Sequence, residues 1–418
     1  MIELADIFRE YGPAYRAKYG AEMLPSHHQA MWAIEHCRTE ALGGHVYECP
    51  DCDETVYRYH SCRNRHCPKC QGEKAYRWLE QQHDLLLPVP YFMLTCTLPD
   101  GLRPVARSHQ RLLYDVLFRT SAAATQRLAR DPRFVGGQIG LVGVLHSWGR
   151  TLVFHPHIHY LVPGGGLAAD GLTWLPAQHD FLLPVKALSP LFRAQFRDAL
   201  RQTDCFDLIP PSVWEQDWVV HCQPVGNGLQ AFKYLAPYIF RVALSNGRLV
   251  SCENNRVTFR YRDSNTGQPK LCTLEAEEFI HRFLQHILPQ GFVKVRYYGL
   301  LSPGCRPLLA LIRQRLSPTQ VEPVAATPAP SETAPSGAPP PATPVPVSEA
   351  APPAPLPPPA ESDTPTSDPA RLPEGEDEPD ASDAPTPPPP SNSVPRCPAC
   401  GRPMRRRASL PPLGRSPP

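Results

Sequence analysis

Between Ser317 and Pro395 roughly a third of the residues are proline, and no other feature limits so strongly what the chain can fold into. Ala, Ser, Thr, Asp and Glu supply most of the remainder. Such a stretch has too few large apolar side chains to offset the conformational entropy of ordering it. It reads as a disordered linker of polyproline character, spanning 317–395. A packed fold is thereby confined to the first 316 residues, with a short tail, 396–418, beyond the linker.

Charge divides at the same place. The linker holds twelve Asp and Glu against the single Arg371, while residues 1–316 hold 35 Lys and Arg against 28 Asp and Glu. The tail adds six arginines and no acid, so the overall charge of +2 conceals a basic body and a basic tail. That balance suits a polyanionic partner. No apolar run has the length of a transmembrane helix, and Met1 to Arg16 lacks a signal-peptide core, so no membrane is expected and the cytoplasm is the expected compartment. In a reducing compartment the 14 cysteines read as metal ligands and core residues, not disulfides.

Cys49-Pro-Asp-Cys52 and Cys67-Pro-Lys-Cys70 are two CxxC knuckles with fourteen residues between them. A zinc ion bound by four thiolates needs short turns that aim paired sulfurs at one point, and these two knuckles supply that set. Glu54 to Tyr59 alternates like a strand. Cys37, His45, His60, Cys62 and His66 are further candidate ligands, for a second site or as packing around the first. A domain this small gains much of its folding free energy from metal. Arg63, Arg65 and Lys69 surround the knuckles and are candidates for phosphate contact.

Beyond this zinc-ribbon domain the pattern is α+β. Tyr91 to Leu98 reads as a strand, Gln110 to Ala129 as a helix and Gly140 to Trp148 as a strand. Leu152 to Val162, with the run His155-Pro156-His157-Ile158-His159 and the trailing Gly164-Gly165-Gly166, is a further strand. Alternate residues of a strand share a face, so His157 and His159 point one way and Ile158 the other. Two imidazoles on one face hold a divalent ion with positions left open for chemistry. His155 has the same parity. Further on, Tyr234 and Tyr238 are four apart, one helical turn on one face, with Gln230 a turn earlier. A phenol can attack phosphorus and form a phosphotyrosine, but it ionises near pH 10 and needs a cation to help at neutral pH.

The order of cysteine cluster, histidine strand and tyrosine pair resembles the two-tyrosine HUH transposases, rolling-circle transposases of the insertion-sequence ninety-one type. Ser61-Cys62-Arg63-Asn64-Arg65-His66-Cys67-Pro68-Lys69-Cys70, His146-Ser147-Trp148-Gly149 and Tyr297-Tyr298-Gly299-Leu300-Leu301-Ser302-Pro303 carry the resemblance further. It implies a central antiparallel sheet with flanking helices, His157 and His159 as ligands of Mg²⁺ or Mn²⁺, and Tyr234 and Tyr238 as nucleophiles. The third metal ligand is open between Gln230 and His155. Lys233 and Arg241 are candidates for DNA contact, beside a structural Zn²⁺ in the N-terminal module. The implied partners are single-stranded DNA and mobile-element ends, and the implied reaction is nicking through a 5′-phosphotyrosine followed by strand transfer.

The expected organisation is a helical and zinc-binding segment 1–80, a catalytic domain 88–305, the linker, and the tail with its own Cys397-Pro-Ala-Cys400 knuckle. Half a tetrahedral site cannot hold zinc without partners, so that knuckle completes a site elsewhere, pairs two chains or is a remnant. Asp217 to Pro224, Arg248 to Ser251, Arg256 to Arg262 and Phe292 to Leu300 read as strands, and Glu275 to Leu288 as a helix, continuing the same domain. Three other readings compete: a relaxase or replication initiator, a non-catalytic zinc-finger DNA-binding protein, and a metallohydrolase using His155, His157 and His159.

Overall fold

The computed structural model describes residues 2–70, 85–178, 180–227, 230, 243–263, 266–317 and 394–413. Tyr234, Tyr238, Lys233, Arg241 and linker residues 318–393 lie outside the described residues. Of two compact units, Met1–Ser317 with Pro373–Pro418 and Pro318–Leu372, the first contains every described residue.

The centre is a five-stranded antiparallel sheet in the order β12-β4-β5-β3-β8. Its strands are β3 (Pro90–Thr97), β4 (Gly140–Trp148), β5 (Phe154–Pro163), β8 (Val220–Asn227) and β12 (Val295–Gly299). Strand β4 is buried at every position, as its nearly unbroken apolar run from Gly140 to Leu145 requires. One face carries Leu94, Cys96, Ile158 and Tyr160 against helices α4 (Gln110–Ala129) and α5 (Val185–Leu200), which contribute Leu113, Leu117, Phe192 and Phe196. The opposite face divides. At one end Met93, Val142 and Leu161 pack with Leu309 and Ile312 of helix α7 (Arg306–Leu316). The other end carries histidines. The α+β class and antiparallel central sheet therefore hold as expected.

A second core forms where the sequence pattern predicted only more of the same domain. Strands β9 (Leu249–Glu253), β10 (Arg256–Arg262) and β11 (Pro269–Glu275) make a separate antiparallel sheet. Asn254 and Asn255, with φ of 51° and 62°, form the two-residue turn that joins β9 to β10. This sheet and helix α6 (Ala276–Leu284) enclose one core with α1 (Leu4–Tyr19) and α2 (Pro25–Glu35). Leu4, Ile7, Phe8 and Tyr15 line the buried stripe of α1, and Phe8 meets Phe283 edge-on with ring centroids 5.4 Å apart. The first 35 residues thus complete the packing of residues 249–287, more than 200 positions later in the chain.

A third, small sheet has the order β13-β1-β2, from β1 (Gly44–Glu48), β2 (Thr55–Tyr59) and, from the tail, β13 (Arg405–Leu410). Among the described residues no helix is long and apolar enough to cross a membrane.

Candidate catalytic centre and cysteine clusters

The register of the central sheet decides which histidines meet. In β5, His157 and His159 are both buried on one face and Ile158 lies in the core on the other. On one side Thr97 sits opposite His157 and Thr95 opposite His159; on the other, His146 of β4 sits opposite His157. Cross-strand partners point to the same face, so His146 joins the pair. One ring nitrogen from each of His146, His157 and His159 lies within 4.8 Å of the other two, and all three residues are buried. Their ring centroids are 4.7–5.5 Å apart with planes close to perpendicular, so the imidazoles converge without stacking on each other.

The surroundings orient the rings. Nδ1 of His157 donates to the His155 carbonyl oxygen at 2.7 Å, which directs Nε2 into the cluster. Nδ1 of His159 lies 3.1 Å from Thr95 Oγ1. Trp148 stacks on His146 at 4.8 Å, and the Lys294 ammonium sits 5.1 Å above the Trp148 ring. The Thr97 hydroxyl, opposite His157, is buried with no hydrogen-bond partner among the described residues. Three convergent imidazoles beside an unpartnered hydroxyl fit a divalent cation with its own water or phosphate oxygens.

Neither residue named from sequence as third ligand stands in this group. His155 Nδ1 is 3.1 Å from an Arg103 guanidinium nitrogen, and the Gln230 amide oxygen accepts from the Asn227 N–H at 3.3 Å on the exposed surface. His146 was visible in the run His146-Ser147-Trp148-Gly149 but had no assigned role. Five residues separate the two strands, and pairing them as a hairpin would have set it opposite His157.

The cysteines gather differently from the expected set of Cys49, Cys52, Cys67 and Cys70. Cys49 and Cys52 do not meet Cys67 and Cys70. One group is Cys37, Cys62, Cys67 and Cys70, and the other is Cys49, Cys52, Cys397 and Cys400. The reason is the β1–β2 hairpin. Cys49 and Cys52 lie in its turn, whereas Cys37 and Cys62 flank its open end, a strand length of about 15 Å away. In the inner group Cys70 Sγ is 3.5 Å from Cys37 Sγ and 3.6 Å from Cys62 Sγ. A tetrahedral zinc with bonds of about 2.3 Å sets its sulfurs about 3.8 Å apart, whereas a disulfide needs about 2.05 Å. Arg38 and Arg63, each directly after a cysteine of this group, hold left-handed φ of 59° and 55°. Non-glycine residues adopt that conformation only where the surroundings compensate the strain, and tight turns around one metal ion would do so. Hydrogen bonds from Cys37, Cys62 and Cys67 pull the Cys70 thiol far below the usual range.

The remaining candidates are accounted for individually. His66 Nε2 accepts the Leu288 N–H at 3.3 Å, which ties its loop to the end of the α6 segment. His45 and His60 meet edge-on at 4.9 Å, and neither joins a cysteine group. Arg65 donates to the Phe292 carbonyl oxygen at 2.7 Å, and Lys69 pairs with Glu3 at 2.5 Å. Arg63 is exposed.

Comparison with known proteins identifies the two segments of the chain that carry these groups as parts of transposases. The family described as transposase zinc-binding domain matches residues 7–98, and the family described as putative transposase matches residues 140–307. Together they define a transposase with an N-terminal zinc-binding domain. A putative transposase, y4qJ, of Sinorhizobium fredii is 40% identical over 346 residues, covering 76% of this chain and 87% of that protein. The transposase for insertion sequence element IS801 of Pseudomonas savastanoi pv. phaseolicola is 30% identical over 283 residues, covering 64% and 68%. The chain belongs to the insertion-sequence ninety-one family of transposases. No solved structure matches it significantly.

Proposed function

We propose that this transposase moves an insertion sequence by cutting and rejoining single-stranded DNA at the element ends through Tyr234 and Tyr238, with His146, His157 and His159 holding Mg²⁺ or Mn²⁺. The observation that carries the reading is the buried convergence of these three imidazoles on one face of the central sheet. A cation bound there would polarise a phosphate oxygen and offset the charge that develops at phosphorus.

The protein's own groups do the rest. A tyrosine oxygen bonds to phosphorus as the bond from phosphorus to the 3′ oxygen breaks. The phenolic proton passes to solvent, and the departing oxygen takes up a proton as a 3′-hydroxyl. The 5′ end stays on the enzyme as a phosphotyrosine diester, which conserves the energy for rejoining. A second phenol four residues along the chain allows two strands to be held in sequence. Thr95 and the His155 carbonyl fix the orientation of His159 and His157, as the distances of 3.1 and 2.7 Å support. Cys37, Cys62, Cys67 and Cys70 would hold a structural zinc, and the exposed Arg63 beside them contacts DNA phosphate, as do Lys233 and Arg241, which flank the tyrosines in sequence.

The test is a nicking assay on labelled single-stranded element-end DNA with Mg²⁺ or Mn²⁺, resolved on a denaturing protein gel. A covalent protein–DNA band should form, disappear in Tyr234→Phe/Tyr238→Phe and after chelation, and fall at least about 100-fold in His146→Ala. Cleavage that persists without a covalent band, indifferent to both tyrosines, would replace this reading with metal-dependent hydrolysis. An unaffected His146→Ala would remove that residue from the ligand set.

A further inference from the structure

The tail knuckle closes onto the zinc-ribbon. Cys400 Sγ is 3.5 Å from Cys49 Sγ, and Cys52 Sγ is 3.4 Å from Cys397 Sγ and 3.8 Å from Cys400 Sγ. These are the separations of sulfurs around one tetrahedral zinc, about 3.8 Å, and too long for disulfides. The two knuckles also repeat each other. Cys49-Pro-Asp-Cys52 is followed by Asp53 at φ 53°, and Cys397-Pro-Ala-Cys400 by Gly401 at φ 73°. In each, the first cysteine's N–H bonds back to a carbonyl five residues on, Glu54 or Arg402, at 2.8 Å. Each turn therefore aims two sulfurs at one point, and the two points coincide.

We infer that Cys49, Cys52, Cys397 and Cys400 form a second four-thiolate zinc site, built from both ends of the chain, that clasps the tail to the N-terminal domain. The matched zinc-binding domain spans 7–98 and so contains only half of this ligand set. Secondary structure continues the clasp. Strand β13 adds to the free edge of β1, pairing Gly44 with Leu410 through to Glu48 with Arg405, with one irregularity between Val46 and Tyr47. Arg402 pairs with Asp51 at 2.6 Å, and Arg407 with Glu48 at 3.1 Å. Cys49, Cys397 and Met404 share a small core with Tyr47 and Val56. The metal fixes the register of β13, and with it Arg405, Arg406 and Arg407, which are exposed on the ribbon.

The inference is independent of the tyrosine chemistry and is tested without DNA. Zinc is counted by elemental mass spectrometry on the full chain in a His157→Ala/His159→Ala background, so that the catalytic centre does not contribute. The chain should hold two zinc ions, and addition of Cys397→Ser/Cys400→Ser should leave one. In a full-length chain with a protease site inserted in the linker, cleavage should leave the tail attached to the zinc-loaded body until a chelator is added. One zinc before the cysteine substitutions, two zincs after them, or a tail that separates from the zinc-loaded body on cleavage would each overturn the clasp. The cleavage arm needs no cysteine variant and stands even if that variant folds poorly.

Discussion

The two cysteine groups offer the same four donors and sit in opposite settings. The inner group comes from 34 consecutive residues, and three of its four cysteines are buried in the core shared by α1, α2, β10 and α6. The outer group joins residues 345–351 positions apart, leaves Cys52 and Cys400 exposed, and rests on a core of three buried residues. Identical chemistry therefore has different consequences. Around the inner group, loss of a bound metal would leave a hole where several elements meet. Around the outer group, it releases one strand from an edge. The lesson is that a metal's contribution to a fold depends on how much packing its ligands organise.

The largest expected contrast follows directly. Structural zinc contributes about 10–16 kcal/mol in small zinc domains, as much as the whole stability of a typical domain, about 5–15 kcal/mol. Cys67→Ser should abolish the cooperative thermal transition of the N-terminal half or leave the protein insoluble. Cys400→Ser should move the melting midpoint of the body by less than about 2 °C, because the body's packing does not pass through the tail. Equal shifts in the two variants would erase the distinction between a folding site and a clasp.

A smaller contrast concerns acid. His286, whose ring lies against Trp148 and Phe154, is held at about 4 by burial; its Nε2 donates to the Leu152 carbonyl oxygen at 3.1 Å, and its Nδ1 lies 3.3 Å from Ser147 Oγ. The unfolded chain, with a histidine pKa of about 6.5, binds more protons than the folded one between pH 6.5 and 4. The stability is therefore fully present above about pH 6.5 and is lost as pH falls toward 4, by about 2 kcal/mol between pH 7 and pH 5. Burial holds His27 at about 4 as well, so two residues share the slope. Denaturant melts in excess zinc should show His286→Gln with a shallower pH dependence than wild type. An unchanged slope would mean that His286 does not sense acid, while tail attachment at pH 6 should be the same in both proteins.

Much of this was legible in the residues because period and punctuation survive any tertiary context. The limits of β4 and α4 match the sequence reading from Gly140 to Trp148 and from Gln110 to Ala129, and the alternation around Ile158 placed His157 and His159 on one face. What failed was partnership across strands. His146 comes to face His157 through the β4–β5 register, which parity within one strand does not supply. Cys49 and Cys52 look adjacent to Cys67 and Cys70 in sequence, but an extended hairpin separates them by its full length. The strand at Glu54 to Tyr59 was already a sign of this, since both ends of a hairpin cannot hold one ion. The tail's strand was hidden because Arg405-Arg406-Arg407 has no apolar alternation, and its pairing depends on the free edge of β1.

That edge offers the smallest and most local difference between the two groups. Gly43 has φ 68° and ψ −170°, a backbone conformation open essentially to glycine alone. A Cβ there would lie 2.5 Å from the Leu410 carbonyl oxygen and 2.9 Å from Pro411 and Pro412 backbone atoms, all of the tail. Gly43→Ala therefore has two costs, strain in the loop before β1 and collision with β13, and only the second depends on the tail. After linker cleavage the tail of this variant should dissociate about tenfold faster, corresponding to about 1.4 kcal/mol. A double-mutant cycle with Cys397→Ser/Cys400→Ser separates the two costs, because with the tail undocked the collision has no partner. If the melting shift caused by Gly43→Ala is the same in both backgrounds, the edge of β1 is not occupied by β13 in solution. A shift that shrinks by about 1 kcal/mol when the clasp is removed locates the tail on that edge.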